Sequence, residues 1–401
     1  MTFTTAFHTP TLQLPTSWPA ALHPRVLAAM PGSTPFLACD LDTVADRYRS
    51  LMAALPAARC FYAVKCNAAA PVIRTLAALG SSFEVASWGE LEALIELGID
   101  PAEVLYSNTV KPASHIAASA EAGLWRFAFD SEGELHKIAK HAPGAAVYVR
   151  LRVDDSSSVF PLSRKFGTEA STARDLLLLA RELGLTPYGV TFHVGSQCSV
   201  PSAWRQAIAA AGRLMTRLAK DGIRLQMLDL GGGLPARYTD DVPALDGFAR
   251  VINNAVSRLV PYLPDVLAIE PGRHLVAESA VLVASVLARV ERAGEEWLHL
   301  DVGAYNGLME TQQTMNQWAF PIWTSRRDHA TAHQVPFTLT GPSCDSSDTM
   351  FIAEPLPATM DVDDRVFIGS AGAYTLSYAS SFNGFPPPRT VFVGERQAGG
   401  G

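Results

Sequence analysis

Between about residue 40 and residue 278, short β-rich runs alternate with longer Ala- and Leu-rich stretches, and the alternation repeats eight times. The β-rich runs are Cys60–Val64, Ser82–Val85, Val104–Tyr106, Arg126–Phe129, Ala146–Val153, Gly189–His193, Gln226–Leu230 and Val266–Ile269. Helical spacing marks Ala69–Leu79, Trp88–Leu97, Thr172–Leu183, Ala203–Lys220 and Ala244–Leu259. Strand, helix, strand in regular order requires parallel strands joined by crossovers. Eight units in roughly 240 residues match a (β/α)8 barrel. A doubly wound open sheet is the rival, and eight units strain it.

After Ala277 the pattern changes. Ala280–Arg289, Trp297–Val302, Val335–Thr340, Arg365–Ile368 and Thr390–Val393 read as strands broken by Gly, Pro and Asp. The expected organisation is an α/β barrel over 41–278 and a mostly β domain over 279–401. The N-terminal segment 1–40 joins the β domain through Phe36–Cys39, and the tail Gln397–Gly401 frays. Thirty-two Lys and Arg against 39 Asp and Glu leave no basic footprint for nucleic acid. No apolar run reaches the ~18 residues that span a bilayer, and the N-terminus shows no secretory pattern. Cys39, Cys60, Cys66, Cys198 and Cys344 are scattered and odd in number. That usage suits a reducing cytoplasm.

A barrel places its chemistry where strands end and loops begin. The polar residues gather there: Lys65-Cys66-Asn67, Glu84 to Glu90, His193 to Gln197, Gly231-Gly232-Gly233 and Glu270-Pro271-Gly272-Arg273. Lys65 follows four apolar residues; desolvation there is expected to lower its pKa and make it a nucleophile. A strand-end lysine reaching into water is the other reading. Three consecutive glycines open backbone N–H groups to an anion, with Arg273 as a clamp, or serve a tight turn. The same stretch, Gly231 to Ala236, fits a loose dinucleotide fingerprint, but Pro235 and a polar run follow where a helix should open. Glu270 ends a buried strand and needs a partner, either a protonated ring nitrogen or Arg273. His193 is a hydrogen-bonded core residue or a catalyst. His329 and His333 have metal-pair spacing, but their polar surroundings lack a carboxylate ligand, so no metal is expected.

Together these pieces resemble the barrel-type (fold type III) pyridoxal-phosphate decarboxylases of ornithine, lysine and related basic amino acids. Tyr62-Ala63-Val64-Lys65-Cys66-Asn67 is similar to that family's cofactor-lysine motif. His193-Val194-Gly195-Ser196, Gly231-Gly232-Gly233 and Glu270-Pro271-Gly272-Arg273 resemble its other cofactor motifs in the same order. Gly341-Pro342-Ser343-Cys344-Asp345 resembles its cysteine motif. Gly372-Ala373-Tyr374-Thr375 and Phe382-Asn383-Gly384-Phe385 resemble its C-terminal signatures.

The resemblance implies that Lys65 holds pyridoxal 5'-phosphate covalently, Glu270 keeps the ring nitrogen protonated and His193 stacks on the ring. Ser196, Gly231, Gly232, Gly233, Gly272, Arg273 and Tyr374 would bind the phosphate, with Arg150 and Glu90 as supporting charges. Cys344 would return the proton to the substrate carbon. Asp345 would face a distal ammonium, with Tyr305 and Glu310 beside the substrate. It implies a homodimer with sites shared across the interface, acting on ornithine or lysine. Asp345, where a diaminopimelate enzyme would carry Glu, favours the ornithine/lysine branch. The stretch Met309-Glu310-Thr311-Gln312-Gln313-Thr314 departs from the acidic pattern expected there, which leaves open another amino-acid-like substrate. A non-catalytic relative and a racemase are the remaining alternatives.

Overall fold

The computed structural model describes residues 32–326, 329 and 331–394. Most of the segment 1–40, the tail 397–401 and the pair Arg327-Asp328 lie outside the described residues. The chain divides into two compact units. One comprises Leu41–Ser279 together with Gly372–Ser377, and the other comprises 32–40, Ala280–Ala371 and 378–394.

The strands are β1 (Phe36–Asp40), β2 (Arg59–Ala63), β3 (Ser82–Val85), β4 (Val104–Tyr106), β5 (Arg126–Phe129), β6 (Ala146–Leu151), β7 (Ser158–Phe160), β8 (Thr186–Phe192), β9 (Ser196–Cys198), β10 (Met227–Asp229) and β11 (Val266–Ile269). Eight of them, β2, β3, β4, β5, β6, β8, β10 and β11, close into a parallel barrel, with β11 pairing back onto β2. Buried Phe61, Leu105, Ala128, Tyr148, Tyr188 and Met227 pack into one core cluster. Side chains of alternate strands fill such an interior, so it is a core and not a channel. β7 and β9 form a separate two-stranded ribbon.

Helices cover the barrel because each carries one apolar face. Ser202–Lys220 buries Trp204, Ile208 and Met215, and Leu245–Leu259 buries Phe248 and Ile252. Trp204 and Phe248 meet edge to face at 5.4 Å. Ser87 and Ser131 cap the helices Trp88–Glu96 and Glu132–His141 by accepting from the N–H of Glu90 and Glu134.

The β unit adds β12 (Ala280–Arg292), β13 (Glu295–Leu300), β14 (Ile322–Thr324), β15 (Gln334–Thr340), β16 (Thr349–Pro357), β17 (Arg365–Ile368) and β18 (Arg389–Val393). They form an eight-stranded sheet, β14-β17-β12-β13-β15-β16, to which β1 adds beside β12 and β18. Phe36, Val281, Val283 and Phe367 pack its core. β14 and β16 are absent from the sequence-based reading. Two prolines, Pro355 and Pro357, break the β16 pattern, and the strand tolerates them because it lies on the sheet edge. Lys65 also sits differently from expectation: it occupies a 3-10 turn, Val64–Cys66, two residues beyond the end of its strand at Ala63. His329 Nδ1 contacts Thr324 Oγ1 at 3.1 Å. Among the described residues no cluster of His, Cys, Asp and Glu could hold a metal, and no helix is long and apolar enough to cross a membrane.

Candidate active site

Parallel register assembles the barrel site. Glu84 on β3 pairs with Ala63 on β2, two residues before Lys65. Arg150 on β6 pairs with Thr191 on β8, and Thr191 pairs with Asp229 on β10. Glu270 follows β11 directly. Side chains on or just beyond six of the barrel strands therefore converge at one end of the barrel.

Lys65 Nζ donates to Glu84 Oε2 at 2.6 Å. Its side chain is 42% exposed, because it opens into a cleft lined by His193, Ser196, Gly232, Glu270, Arg273 and Tyr374. The sequence reading expected a lowered lysine pKa, and the structure corrects this. Burial does pull the Lys65 ammonium down, but Glu84, Glu270 and Glu90 outweigh it and hold the group at about 12. Desolvation decides only when no counter-charge is near.

Glu270 accepts a hydrogen bond from Ser107 Oγ, which also contacts Tyr148 Oη at 2.8 Å. Burial, Asp229 and Glu84 push the Glu270 carboxyl well above its ordinary range, and Lys65 only partly offsets them. Asp229 is likewise raised by burial, although Thr191 Oγ1 donates to it at 2.7 Å and the Gly231 N–H at 2.9 Å. His193 is pushed well below its ordinary value by burial and by Arg150 and Lys65. Its neutral ring accepts from the Gly195 N–H at Nδ1, at 3.0 Å. Arg150 is lowered by burial, with Glu270 and Asp130 opposing. Glu90 accepts from the Ala86 N–H at 2.6 Å and is raised by burial.

The glycines are there for space. A Cβ on Gly231, at φ +61°, would collide with the Phe192 carbonyl; on Gly233, at φ +109°, it would lie 2.9 Å from Val194 Cγ2. On Gly232 it would meet His193 Nε2 at 3.0 Å. No helix opens here, since the next one begins at Leu245, which removes the dinucleotide reading. Arg273 Nε donates to Ser196 Oγ at 3.2 Å and Nη1 to Tyr238 Oη at 2.7 Å. The Arg273 guanidinium also lies 4.9 Å from the Tyr374 ring centre. Tyr374 belongs to the returning segment Gly372–Ser377, which is laced to the Lys65 turn. Its N–H donates to Cys66 O at 2.8 Å, and Asn67 Nδ2 donates to Gly372 O at 2.9 Å. Gly272 packs so closely that a Cβ would touch Cys66 Cβ at 3.0 Å.

A second group lies within the β unit. Cys344 is exposed, and Asp345 beside it accepts from the Ser347 N–H at 2.9 Å and from Tyr305 Oη at 3.1 Å. These two bonds hold the Asp345 carboxyl below its ordinary value. Glu310 is buried in the short helix Met309–Gln313. Gln312 Nε2 donates to Thr349 O at 2.5 Å.

Sequence reading assigned no role to Glu84, Asp229, Ser107, Thr191, Asp348 or Asn383. For the first two the signal existed: a lone carboxylate inside an otherwise apolar strand needs a partner.

The barrel site offers two ends. Ser196, Arg273 and a glycine cradle that no Cβ could enter suit an anionic group such as phosphate. At the other end three buried carboxylates, Glu84, Asp229 and Glu270, face two cations, Lys65 and Arg150, so a further cationic ring atom would be welcomed. A flat ring with a basic nitrogen, an aldehyde for Lys65 and a phosphate fits this donor set. The fold and the site thus define a pyridoxal-phosphate protein of barrel type.

Comparison with known proteins agrees. Residues 41–277 match the family model described as pyridoxal-dependent decarboxylase, pyridoxal binding domain. The lysine/ornithine decarboxylase of Selenomonas ruminantium is 36% identical over 88% of each chain. The lysine/ornithine decarboxylase of Vibrio vulnificus, solved with cadaverine, superposes with a TM-score of 0.83 at 32% identity, covering 92% of this chain and 97% of that one. The arginine decarboxylase of Paramecium bursaria Chlorella virus, solved with agmatine, gives 0.85 at 27% identity, covering 92% and 98%. The chain belongs to the pyridoxal-dependent decarboxylase family and is a lyase that acts on an amino acid.

Proposed function

We propose that the enzyme removes the α-carboxylate of a basic amino acid, ornithine or lysine above all, to give a diamine. The observation that carries this reading is Asp345. Its carboxylate is held ionised by Tyr305 and the Ser347 N–H, next to the Cys344 thiol, and is free of any cationic side chain in those bonds. Such a group is a partner for a distal ammonium. Glu310 is buried and Gln312 is engaged with backbone, so Asp345 carries the charge recognition. The named ligands of the structural relatives, cadaverine and agmatine, are products of basic amino acids.

Lys65 would hold pyridoxal phosphate through its amine. Ser196, Gly231 to Gly233, Gly272, Arg273 and Tyr374 would bind the phosphate, with Arg150 and Glu90 as flanking charges. Pyridoxal phosphate, when bound, supplies the electron sink that makes loss of carbon dioxide feasible. Glu270, held in place by Ser107, would serve as the counter-charge of the ring nitrogen. Neutral His193 would pack against the ring without adding charge. Glu84 keeps the Lys65 amine protonated and oriented whenever it is released. As carbon dioxide leaves, the bonding pair stays behind at Cα; the Cys344 thiol gives its proton to Cα, and water reprotonates the thiolate. Asp345 and Tyr305 fix the far end of the substrate, so that the carboxylate to be lost is the one presented.

We infer a C2 homodimer whose sites combine Lys65 of one chain with Cys344 of the other, as the family resemblance implies. We also place the enzyme in the cytoplasm, where its five free thiols are compatible with a reducing environment. The test is carbon dioxide release from lysine, ornithine, arginine, diaminopimelate and glutamate. Lysine or ornithine should lead, and Asp345→Ala should raise KM for the best diamino acid about 10- to 100-fold. A preference for glutamate would overturn the reading.

A further inference from the structure

Three loops of the β unit meet around Cys344. The first, Gly303 to Leu308, carries Tyr305; the second, Gly341 to Asp348, carries Cys344 and Asp345; the third, Ser380 to Phe385, carries Asn383. The buried Asp348 carboxylate ties the first two by accepting from the Ala304 N–H at 2.7 Å and the Ser343 N–H at 3.2 Å. The third loop closes over them. Ser380 N–H donates to Tyr305 O at 2.8 Å, and the Phe382 ring lies 5.0 Å from that of Tyr305.

Asn383 completes the arrangement. It has φ +53°, and Gly384 follows at φ +81°. Asn is among the few residues that adopt this left-handed conformation readily. The turn aims its side chain at the cysteine loop. Asn383 Oδ1 accepts from the Cys344 N–H at 3.1 Å. A backbone N–H can only donate, so this bond settles which amide atom faces Cys344. The same oxygen lies 3.3 Å from Cys344 Sγ. An amide oxygen cannot donate either, so in this contact Sγ is the donor.

We propose that Asn383 is a positioning residue for the proton-donating thiol: its Oδ1 holds Cys344 as the protonated donor and fixes the direction of its S–H. This rests on the reading of Cys344 as the proton source. The ionisable groups that these contacts place on the first two loops are Asp345 and Asp348, on the thiol's own loop, and Tyr305 on the first loop. The third loop presents none.

The test reads the thiol directly, in the full-length, cofactor-loaded protein without amino acid. Alkylation of Cys344 by iodoacetamide is followed by peptide mass spectrometry from pH 6 to 10; the other four cysteines are buried. Removing an acceptor that favours S–H makes Asn383→Ala react roughly three- to tenfold faster at pH 7. Asn383→Asp, nearly isosteric, places a carboxylate against the sulfur and moves the profile to higher pH. In turnover, Asn383→Ala lowers kcat at least tenfold while KM changes less than about twofold. Rates for both variants within twofold of the parent protein at every pH would overturn the proposal. Absence of carbon dioxide release from the parent protein would overturn the decarboxylase reading and leave the alkylation result standing.

Discussion

Replacing Glu270 with Gln should do two opposite things. Without cofactor, Glu270 shares a buried space with Glu84 and Asp229, and Lys65 and Arg150 oppose the three. Its carboxyl therefore retains a proton after the unfolded chain has released its own. The native state then binds more protons than the unfolded state above the usual carboxyl range, and stability falls as pH rises there. Gln keeps the shape and the contact with Ser107 and removes the titration. Neutralising one member of a buried charge cluster is neutral to stabilising, about 1–3 kcal/mol here. The apoprotein should therefore melt a few degrees higher at pH 8 and unchanged at pH 4. Catalysis moves the other way. On the proposed reading Glu270 would be the counter-charge for the ring nitrogen, and losing a partner from a buried pair costs about 3–5 kcal/mol. That corresponds to a fall in carbon dioxide release of about 150- to 5000-fold. Two measurements suffice: thermal unfolding of apoprotein at both pH values, and kcat for the best substrate. A variant that is less stable at pH 8, or whose kcat stays within threefold, would refute the reasoning.

Three further outcomes follow from the same geometry. Gly233→Ala forces a Cβ into the cradle at φ +109° and should weaken cofactor binding at least tenfold, read by titrating the visible absorbance of bound pyridoxal phosphate. Glu354 on β16 is pushed up to about 7 by burial, so stability should fall as pH rises from about 4.5 to 7, by at most about 3 kcal/mol. Glu354→Gln should therefore raise Tm at pH 8 and leave it unchanged at pH 4. If sites are shared across a two-fold axis, inactive Lys65→Ala and Cys344→Ala should recover about a quarter of full activity once mixed and exchanged; no recovery despite exchange would mean each site lies within one chain.

Most of the barrel was legible because each strand carries its own apolar run and each motif is contiguous. Lys65, the triple glycine and the Glu270 to Arg273 turn announce themselves over a few residues. What escaped notice depends on closure. Glu84 reaches Lys65 because β3 pairs with β2, and Asp229 reaches the Glu270 neighbourhood because β10 pairs with β11. No short window contains those pairs, and so the sign of the Lys65 shift was read from desolvation alone. Asn383 was visible as part of a signature, but its bond to Cys344 joins loops far apart in the chain. β16 was hidden by two prolines that an edge strand can carry.

The central claim is that Lys65 is the residue that binds pyridoxal phosphate covalently. Reducing the loaded protein with borohydride and mapping its peptides tests that claim directly. The account predicts one modified peptide, carrying the mass of reduced pyridoxal phosphate on Lys65, and its disappearance in Lys65→Ala. Cofactor fixed to any other lysine, or undiminished labelling in Lys65→Ala, would contradict it.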